Sequence, residues 1–595
     1  MSVIADRLSA VRVLMRERGY DALIIPRADE YLGEYLPEHN ERMLWVSGFT
    51  GSAGAIVVLA ESAAIFVDGR YTVQVRNEVD PDLFAYHHLI DEPPIAWLCA
   101  ALPAGSSVAC DPRLHTLAWF RQSGAALASA DLELAADSDN LIDRCWDDRP
   151  EPRVSPAVLL GEDYTGASSV QKRGNIAEAI VAKGADAALI FAPDSVSWLL
   201  NVRGTDIPCL PILQSFALLR ADGKCTVFVD AGRLPEGLKE HIGPGVEFLP
   251  ESEAEASLLA CRGQRVLADP NSANAWTQLC LERGGAELVA AEDPVLMPKA
   301  SKNDVEIEGA RQAHLRDAVA EVRFLHWLDE EVAAGNMHDE ATLADKLGSL
   351  REEGEHYRGP SFDTISAAGG NAAMCHYNHQ NVEQPGSLSE NSVYLVDSGG
   401  QYTDGTTDIT RTVAIGDPGA EIRRMFTLVL KGHIALDQAR FPRGTTGSQL
   451  DVLARQFLWR EGCDFDHGTG HGVGAYLSVH EGPQRIAKAH NPFPLQPGMI
   501  LSNEPGYYRD NEYGIRCENL VVVQPVSEDT ETPMLGFEAL TMVPFDRRLI
   551  DVALMTAEEL AWLNDYHQQV HAAIAPRLEG AVLDWLNNAT AAIAA

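Results

Sequence analysis

In the segment VYLVDSGGQYTDGTTDITRTVAIG the apolar run Val393–Val396 ends in Asp397, turn residues fill Ser398–Gly405, and Asp408 opens an alternating run through Ile409 and Val413. The pattern predicts a β-hairpin with Asp397 and Asp408 on opposing strands. Facing carboxylates repel, and a cation between them relieves the repulsion. Two solvated turn aspartates fit the same pattern when it is taken alone. A second segment, MILSNEPGYYRDNEYGIRCENLVVV, repeats the device: Glu504 and Glu518 lie 14 positions apart across a turn, and Arg516, two before Glu518, shares its side of the strand. Between the two hairpins, DHGTGHGVGAYLSVHEGP places His467, His471 and His480 in one glycine-rich stretch. Imidazole is a common ligand of divalent transition metals, and the glycines allow the backbone to bend and to approach a ligand closely. A lone HxxxH would be an incidental pair of histidines; set between two acid hairpins, it favours a metal site. AAMCHYNH adds His376 and His379 upstream.

The elements that must carry these residues follow from periodicity. The first half contains an echo: a helical pattern, a glycine (Gly19, Gly184) and an apolar strand recur, and Asp21 precedes Asp68 of IFVDGR by 47 positions as Asp186 precedes Asp230 of TVFVDAGR by 44. Two copies of one α/β unit are expected, giving an α/β (α+β) chain. Pro/Gly/Ser-rich RPEPRVSPAVLLGEDYTGASS marks one boundary and DPVLMPKASKN a second. A helical stripe then runs through roughly 303–334, and the tail after about 556 reads as two helices packed on the body or on a partner.

The chain has 595 residues, enough for about three domains. Its 47 Lys+Arg against 86 Asp+Glu give a formal charge of −39, which repels nucleic-acid phosphates and anionic membranes. The N-terminus lacks the apolar core of a signal peptide, and no stretch nears the ~20 apolar residues of a membrane span. None of the ten cysteines forms a CxxC pair, which argues against a structural zinc site. A cytoplasmic location is expected.

With these residues in place, DSG at 397, TTD at 408, HGTGHGVG at 467, VHEGP at 479, NEPGYY at 503 and GIRCEN at 514 resemble the pita-bread metallopeptidases, and more narrowly the three-domain cytosolic aminopeptidase P group. GFTGSAG and DGRY near the N-terminus resemble the first domain of the same enzymes, so the resemblance spans nearly the whole chain. It departs from the pattern at Cys517, where an aliphatic residue is usual, and around His376. The resemblance implies two creatinase-like N-terminal domains, 1–157 and 158–300, then a pita-bread catalytic domain over 301–595 with a helical extension from about 535. It implies a metal-dependent aminopeptidase that hydrolyses the N-terminal Xaa-Pro bond of peptides through a metal-bridging hydroxide. Two divalent ions per chain, Mn²⁺ with Co²⁺ or Zn²⁺ as alternatives, would be held by Asp397, Asp408, His471, Glu504 and Glu518. Glu504 would move the proton, His376 and His480 would bond the substrate carbonyl, His467 would line the proline pocket, Arg516 would orient the Glu518 shell, and Arg70 would reach the downstream peptide or form a strand-end salt bridge. A homodimer is implied in the same way. The rival readings are a prolidase confined to Xaa-Pro dipeptides and a non-catalytic binding protein on the same fold; methionine aminopeptidase and creatinase-type readings fit less well.

Overall fold

The computed structural model describes residues 3–527 and 531–594. The chain divides into two compact units, residues 1–161 with 167–296, and residues 162–166 with 297–595.

The first unit holds the echo as two sheets of the same topology. In the first copy, β1 (Ala22–Pro26), β2 (Ala55–Leu59), β3 (Ala63–Val67), β4 (Ala85–His88), β5 (Ser107–Cys110) and β6 (Glu133–Ala136) form a sheet in the order β4-β3-β2-β1-β5-β6. In the second, β7 (Ala187–Ile190), β8 (Phe216–Arg220), β9 (Cys225–Phe228), β10 (Val246–Leu249), β11 (Arg265–Ala268) and β12 (Glu287–Ala290) form the order β10-β9-β8-β7-β11-β12. In each, an antiparallel hairpin joins a parallel pair at the first strand. The central strands are apolar on both faces because helices cover both sides. The echoed turn differs between copies. Arg70 is half-buried beside Asp68, whereas Arg233 is buried, its Nε 2.6 Å from Asp206 Oδ2 and its Nη2 2.9 Å from Gln214 Oε1.

The second unit begins with the 30-residue helix Asp304–Ala333, started by a capping box between Asn303 and Glu306. Its buried face carries small residues. Gly309 leaves room for the backbone of Asp404, and Gly405 rests on Ala310 and Ala313. The tip of the first acid hairpin therefore seats directly on this helix, and Arg316 ties it down by pairing with Asp404. Behind the tip, β13 (Ile365–Ala368), β14 (Ser392–Ser398) and β15 (Ile409–Ile415) make an antiparallel sheet with β14 in the middle. A six-stranded sheet follows from β16 (Phe441–Pro442), β17 (Gly470–Gly472), β18 (Glu481–Ile486), β19 (Ile500–Asn503), β22 (Asn519–Ser527) and β23 (Met534–Ala539), in the order β16-β23-β22-β19-β17-β18. The ribbon of β20 (Gly506–Arg509) and β21 (Tyr513–Arg516) extends the second acid hairpin.

The tail forms the helices Ala557–Ile574 and Gly580–Ala589, and it packs on the body of its own unit through Leu563, Tyr566, Val570 and Leu586. No helix among the described residues is long and apolar enough to cross a membrane.

Asp437 ends the helix Gly419–Asp437, next to that tail. Trp562 Nε1 donates to its Oδ2 at 2.8 Å, while Oδ1 has no hydrogen-bond partner among the described residues. Burial pushes its carboxyl up to about 6. The folded state therefore favours the protonated form. That contribution is intact below the unfolded carboxyl range near pH 4 and is lost as pH rises through about 6. Asp437→Asn is expected to raise stability at pH 8 by on the order of 3 kcal/mol and by little near pH 4. Thermal denaturation of both proteins at the two pH values checks this, and an equal shift at both would contradict it.

Candidate metal centre

Three of the four acids occupy places where one hairpin ladder hands over to the next, and the fourth, Asp397, is the penultimate residue of β14. Asp397, in β14, faces Thr410 of β15; Asp408 lies two residues before Thr410, in the gap between the short strand Gly405–Thr406 and β15. By strand alternation it shares the side of Thr410. Glu504 lies between β19 and β20, and Glu518 between β21 and β22. The sequence pattern predicted the hairpins; it did not predict that all three acids outside β14 would sit at ladder breaks, where a side chain can leave the pleat and turn inward.

The two hairpins meet at these breaks. Glu518 N donates to Thr410 O at 3.3 Å, Thr412 Oγ1 donates to Arg516 O at 3.0 Å, and Thr410 Oγ1 donates to Glu518 Oε2 at 2.6 Å. His471, on β17, brings its Nε2 to 3.4 Å from Asp408 Oδ2 and 3.5 Å from Glu504 Oε1. Asp408, His471 and Glu518 each offer one ligand atom, all within 4.8 Å of one another. Asp397 joins the cluster through Arg516, whose Nη2 lies 2.5 Å from its Oδ2. Its Oδ1 is buried with no hydrogen-bond partner among the described residues.

Arg516 meets Asp397 directly and Glu518 only through Thr410, to which its Nε donates at 3.0 Å. It was expected to orient the Glu518 shell. Sharing a side with Glu518 sends the long guanidinium past that residue to the neighbouring strand.

The electrostatics ask for a cation. Burial raises Asp397 to about 7, with Arg516 opposing and Asp408 and Glu504 adding to the rise. Burial raises Glu504, against His471 and Arg516. Burial and then the charges of Asp408, Asp397 and Glu504 hold Glu518 well above the carboxylate range. Burial pushes His471 down, but Asp408 and Glu504 outweigh it and lift the imidazole to about 9. Four acids share one arginine and one histidine, and a divalent cation returns such carboxyls to the ionised form. An oxygen-rich set with one imidazole and an unpaired buried carboxylate oxygen fits hard or borderline divalent ions.

Of the other site residues, His480 and His467 lie against the cluster. His480 stands edge-to-face to His471 with 4.3 Å between ring centroids. His467 Nε2 is 2.8 Å from Tyr508 OH, and its Nδ1 is 3.8 Å from Glu504 Oε2. His376 is half-buried on the segment after the turn Gly369–Ala373, which packs on β14, β20 and β21. Arg70 belongs to the first unit, where it makes a strand-end ion pair with Asp68, Nη2 to Oδ2 at 2.8 Å. Tyr508 escaped the sequence reading, yet its hydroxyl joins His467 to Arg516 at 2.7 Å; the signal was there, since it follows Glu504 by four residues in NEPGYY. The glycines of HGTGHGVG also act differently from expectation. None of Gly468, Gly470, Gly472 and Gly474 has a positive φ. A Cβ at Gly470 would instead collide with Ser502 O, and one at Gly472 with Glu481 O, so glycine serves close strand-to-strand approach.

Asp408→Ala and Glu518→Ala each remove one of three converging ligand atoms and are expected to weaken metal binding by more than about 100-fold. Metal analysis after equilibrium dialysis measures this, and full metal retention in both variants would abolish the proposed centre.

The comparisons agree with this geometry. Metallopeptidase family M24 matches residues 308–525, and its C-terminal region matches 533–593. The Creatinase/Prolidase N-terminal domain matches twice, over 7–145 and 148–306, the two copies of the echo. A probable Xaa-Pro aminopeptidase P of Neurospora crassa is 39% identical over 98% of this chain and 88% of that protein. One from Pyricularia oryzae is 40% identical over 95% of each. The crystal structure of the X-prolyl aminopeptidase of Caenorhabditis elegans, described as a cytosolic enzyme with a di-nuclear active site, superposes with a TM-score of 0.95 at 36% identity over 100% of both chains. A Xaa-Pro dipeptidase from Bacillus anthracis shares the fold at 22% identity and a TM-score of 0.50, covering 64% of this chain and 99% of that one. The chain belongs to metallopeptidase family M24, in its Xaa-Pro aminopeptidase P group.

Proposed function

We propose that this protein removes the N-terminal residue from peptides whose second residue is proline, using two divalent cations held by Asp397, Asp408, His471, Glu504 and Glu518. The observation that carries the reading is the convergence of Asp408, His471 and Glu518 within 4.8 Å, with Glu504 at 3.5 Å from His471 and Asp397 tied in through Arg516. When bound, such a pair of ions supplies a water acidic enough to act as a nucleophile near neutral pH. The oxygen-rich shell suits Mn²⁺, with Co²⁺ and Zn²⁺ as alternatives.

In this reading Asp397, Asp408, His471, Glu504 and Glu518 would hold the two ions, Asp397 toward one and His471 toward the other. Glu504 carries the proton from the attacking water to the proline nitrogen. His480 and His376 donate hydrogen bonds to the carbonyl oxygen as it gains charge. His467, held by Tyr508, lines the proline side. An Xaa-Pro amide has no N–H, so recognition rests on shape and on carbonyl contacts. Arg516 fixes Asp397 and Thr410. Arg70, partly exposed, binds the downstream peptide once Asp68 shares it. The division into 1–157, 158–300 and 301–595 and the homodimer belong to the same proposal, as does a cytoplasmic setting, which the likeness to the cytosolic worm enzyme supports.

A prolidase reading differs in substrate length. After chelation and reconstitution with Mn²⁺, Co²⁺ or Zn²⁺, Arg-Pro-Pro is expected to be cleaved far faster than Arg-Pro. Cleavage of the dipeptide alone would make the protein a prolidase, and silence with every metal and peptide would make it a binding protein. His480→Ala is expected to lower kcat by about 100-fold or more with metal content intact. If metal is lost with it, His480 is a ligand and its assigned role is wrong.

A further inference from the structure

One residue beyond His480 lies an enclosed ion cluster that the reaction does not use. Glu481 Oε2 is 3.0 Å from Lys299 Nζ, and Glu481 Oε1 pairs with Lys302 Nζ; all three side chains are at most 1% exposed. Burying two lysines and a carboxylate is costly. Apolar side chains of similar volume would commonly serve stability as well or better. The cluster therefore calls for a reason other than stability, and its place in the fold supplies one.

Glu481 opens β18 and pairs with Gly472 of β17. The next pairing is His471 with Arg485, so Gly482, Pro483 and Gln484 bulge out of the ladder. The Gly472–Glu481 pair is thus a single isolated rung, and each partner is preceded by a site histidine: His471 before Gly472, His480 before Glu481. There is no slack at this rung, because a Cβ at Gly472 would meet Glu481 O. The two lysines brace it from the entry to the helix Asp304–Ala333. Lys302 N donates to Gly498 O at 3.0 Å, and the neighbouring Ser301 bridges to Met499, just ahead of β19. The edge-to-face contact of His471 and His480, 4.3 Å between centroids, is built on that rung.

We propose that the buried Lys299–Glu481–Lys302 cluster is a positioning element for the reaction: it locks the isolated Gly472–Glu481 rung and so sets the angle at which His480 stands against His471 and reaches the substrate carbonyl. The inference rests on the role given to His480 above. Glu481 itself touches neither substrate nor metal ligand atoms. With the clamp released, His480 loses its fixed direction, while the acids on the two hairpins still hold metal.

The test uses Glu481→Gln and Lys302→Met, each alone and combined with His480→Ala, in the full chain. Glu481→Gln is expected to lower kcat on an Xaa-Pro tripeptide about 10- to 100-fold, with KM and metal content near wild type. In the His480→Ala background the same change should alter kcat by less than about twofold, since its effect passes through the imidazole. An equal loss of kcat with and without His480, or full kcat in a variant that merely melts earlier, would overturn the proposal. Should Glu481→Gln fail to fold, Lys302→Met, which keeps the Lys299–Glu481 pair, carries the same comparison. Crystal structures of the metal-free variants give a readout independent of turnover. A displaced His480 ring supports the clamp, and an unmoved pair of rings refutes it even if the wild type proves inactive on every Xaa-Pro peptide.

Discussion

Mutual repulsion among four buried acids is the constraint on which the second unit is organised. Asp397, Asp408, Glu504 and Glu518 stand too close for all to ionise in a dry site, and Arg516 and His471 supply only part of the compensation. Left to itself such a cluster opposes folding. It persists because the scaffold holds it by other means. The helix Asp304–Ala333 seats one hairpin tip through Gly309, Ala310 and Ala313. Arg411 straps the other side: buried, it donates to Glu518 O and to Val543 O, bonds Asn519 Oδ1 at 2.8 Å and Tyr566 OH at 3.2 Å, and lies 4.2 Å over the Phe545 ring. Core packing thus sustains a strained charge distribution that only a cation fully relieves.

The same logic explains why three of the four acids sit at ladder breaks. A residue inside a regular strand points straight up or down from the pleat. Bringing side chains from two hairpins and β17 to one point requires leaving that geometry, and the interruptions at 407–408, 504–505 and 517–518 permit it. Close approach is then secured by glycine where strands press together, as at Gly470 against Ser502.

Much of this was legible in the chain. The hairpins, the long helix from 304, the two tail helices and the duplicated α/β unit follow from local periodicity and turn residues. The candidate ligands were legible as residue types between those signals. What escaped was long-range. Nothing local says that Arg516 bypasses Glu518 for Asp397, that Tyr508 bridges His467 and Arg516, or that Lys299 and Lys302 close on a glutamate some 180 positions later. Such pairings depend on which strands become neighbours, and spacing along the chain does not encode it. The glycine motif was read for chain flexibility when it answers a steric demand set by a strand far off in sequence.

The duplicated sheets carry one further consequence. Both copies keep an aspartate–arginine turn at the end of their third strand, yet Arg233 is sunk against Asp206 and Gln214 while Arg70 stays within reach of solvent. One turn is a buried strut, and in its twin the arginine pairs within the turn and stays partly open to solvent. Near-identical segments of the two copies are therefore not interchangeable parts, and grafting one turn in place of the other would preserve the outline of the sheet while erasing the division of labour between the repeats.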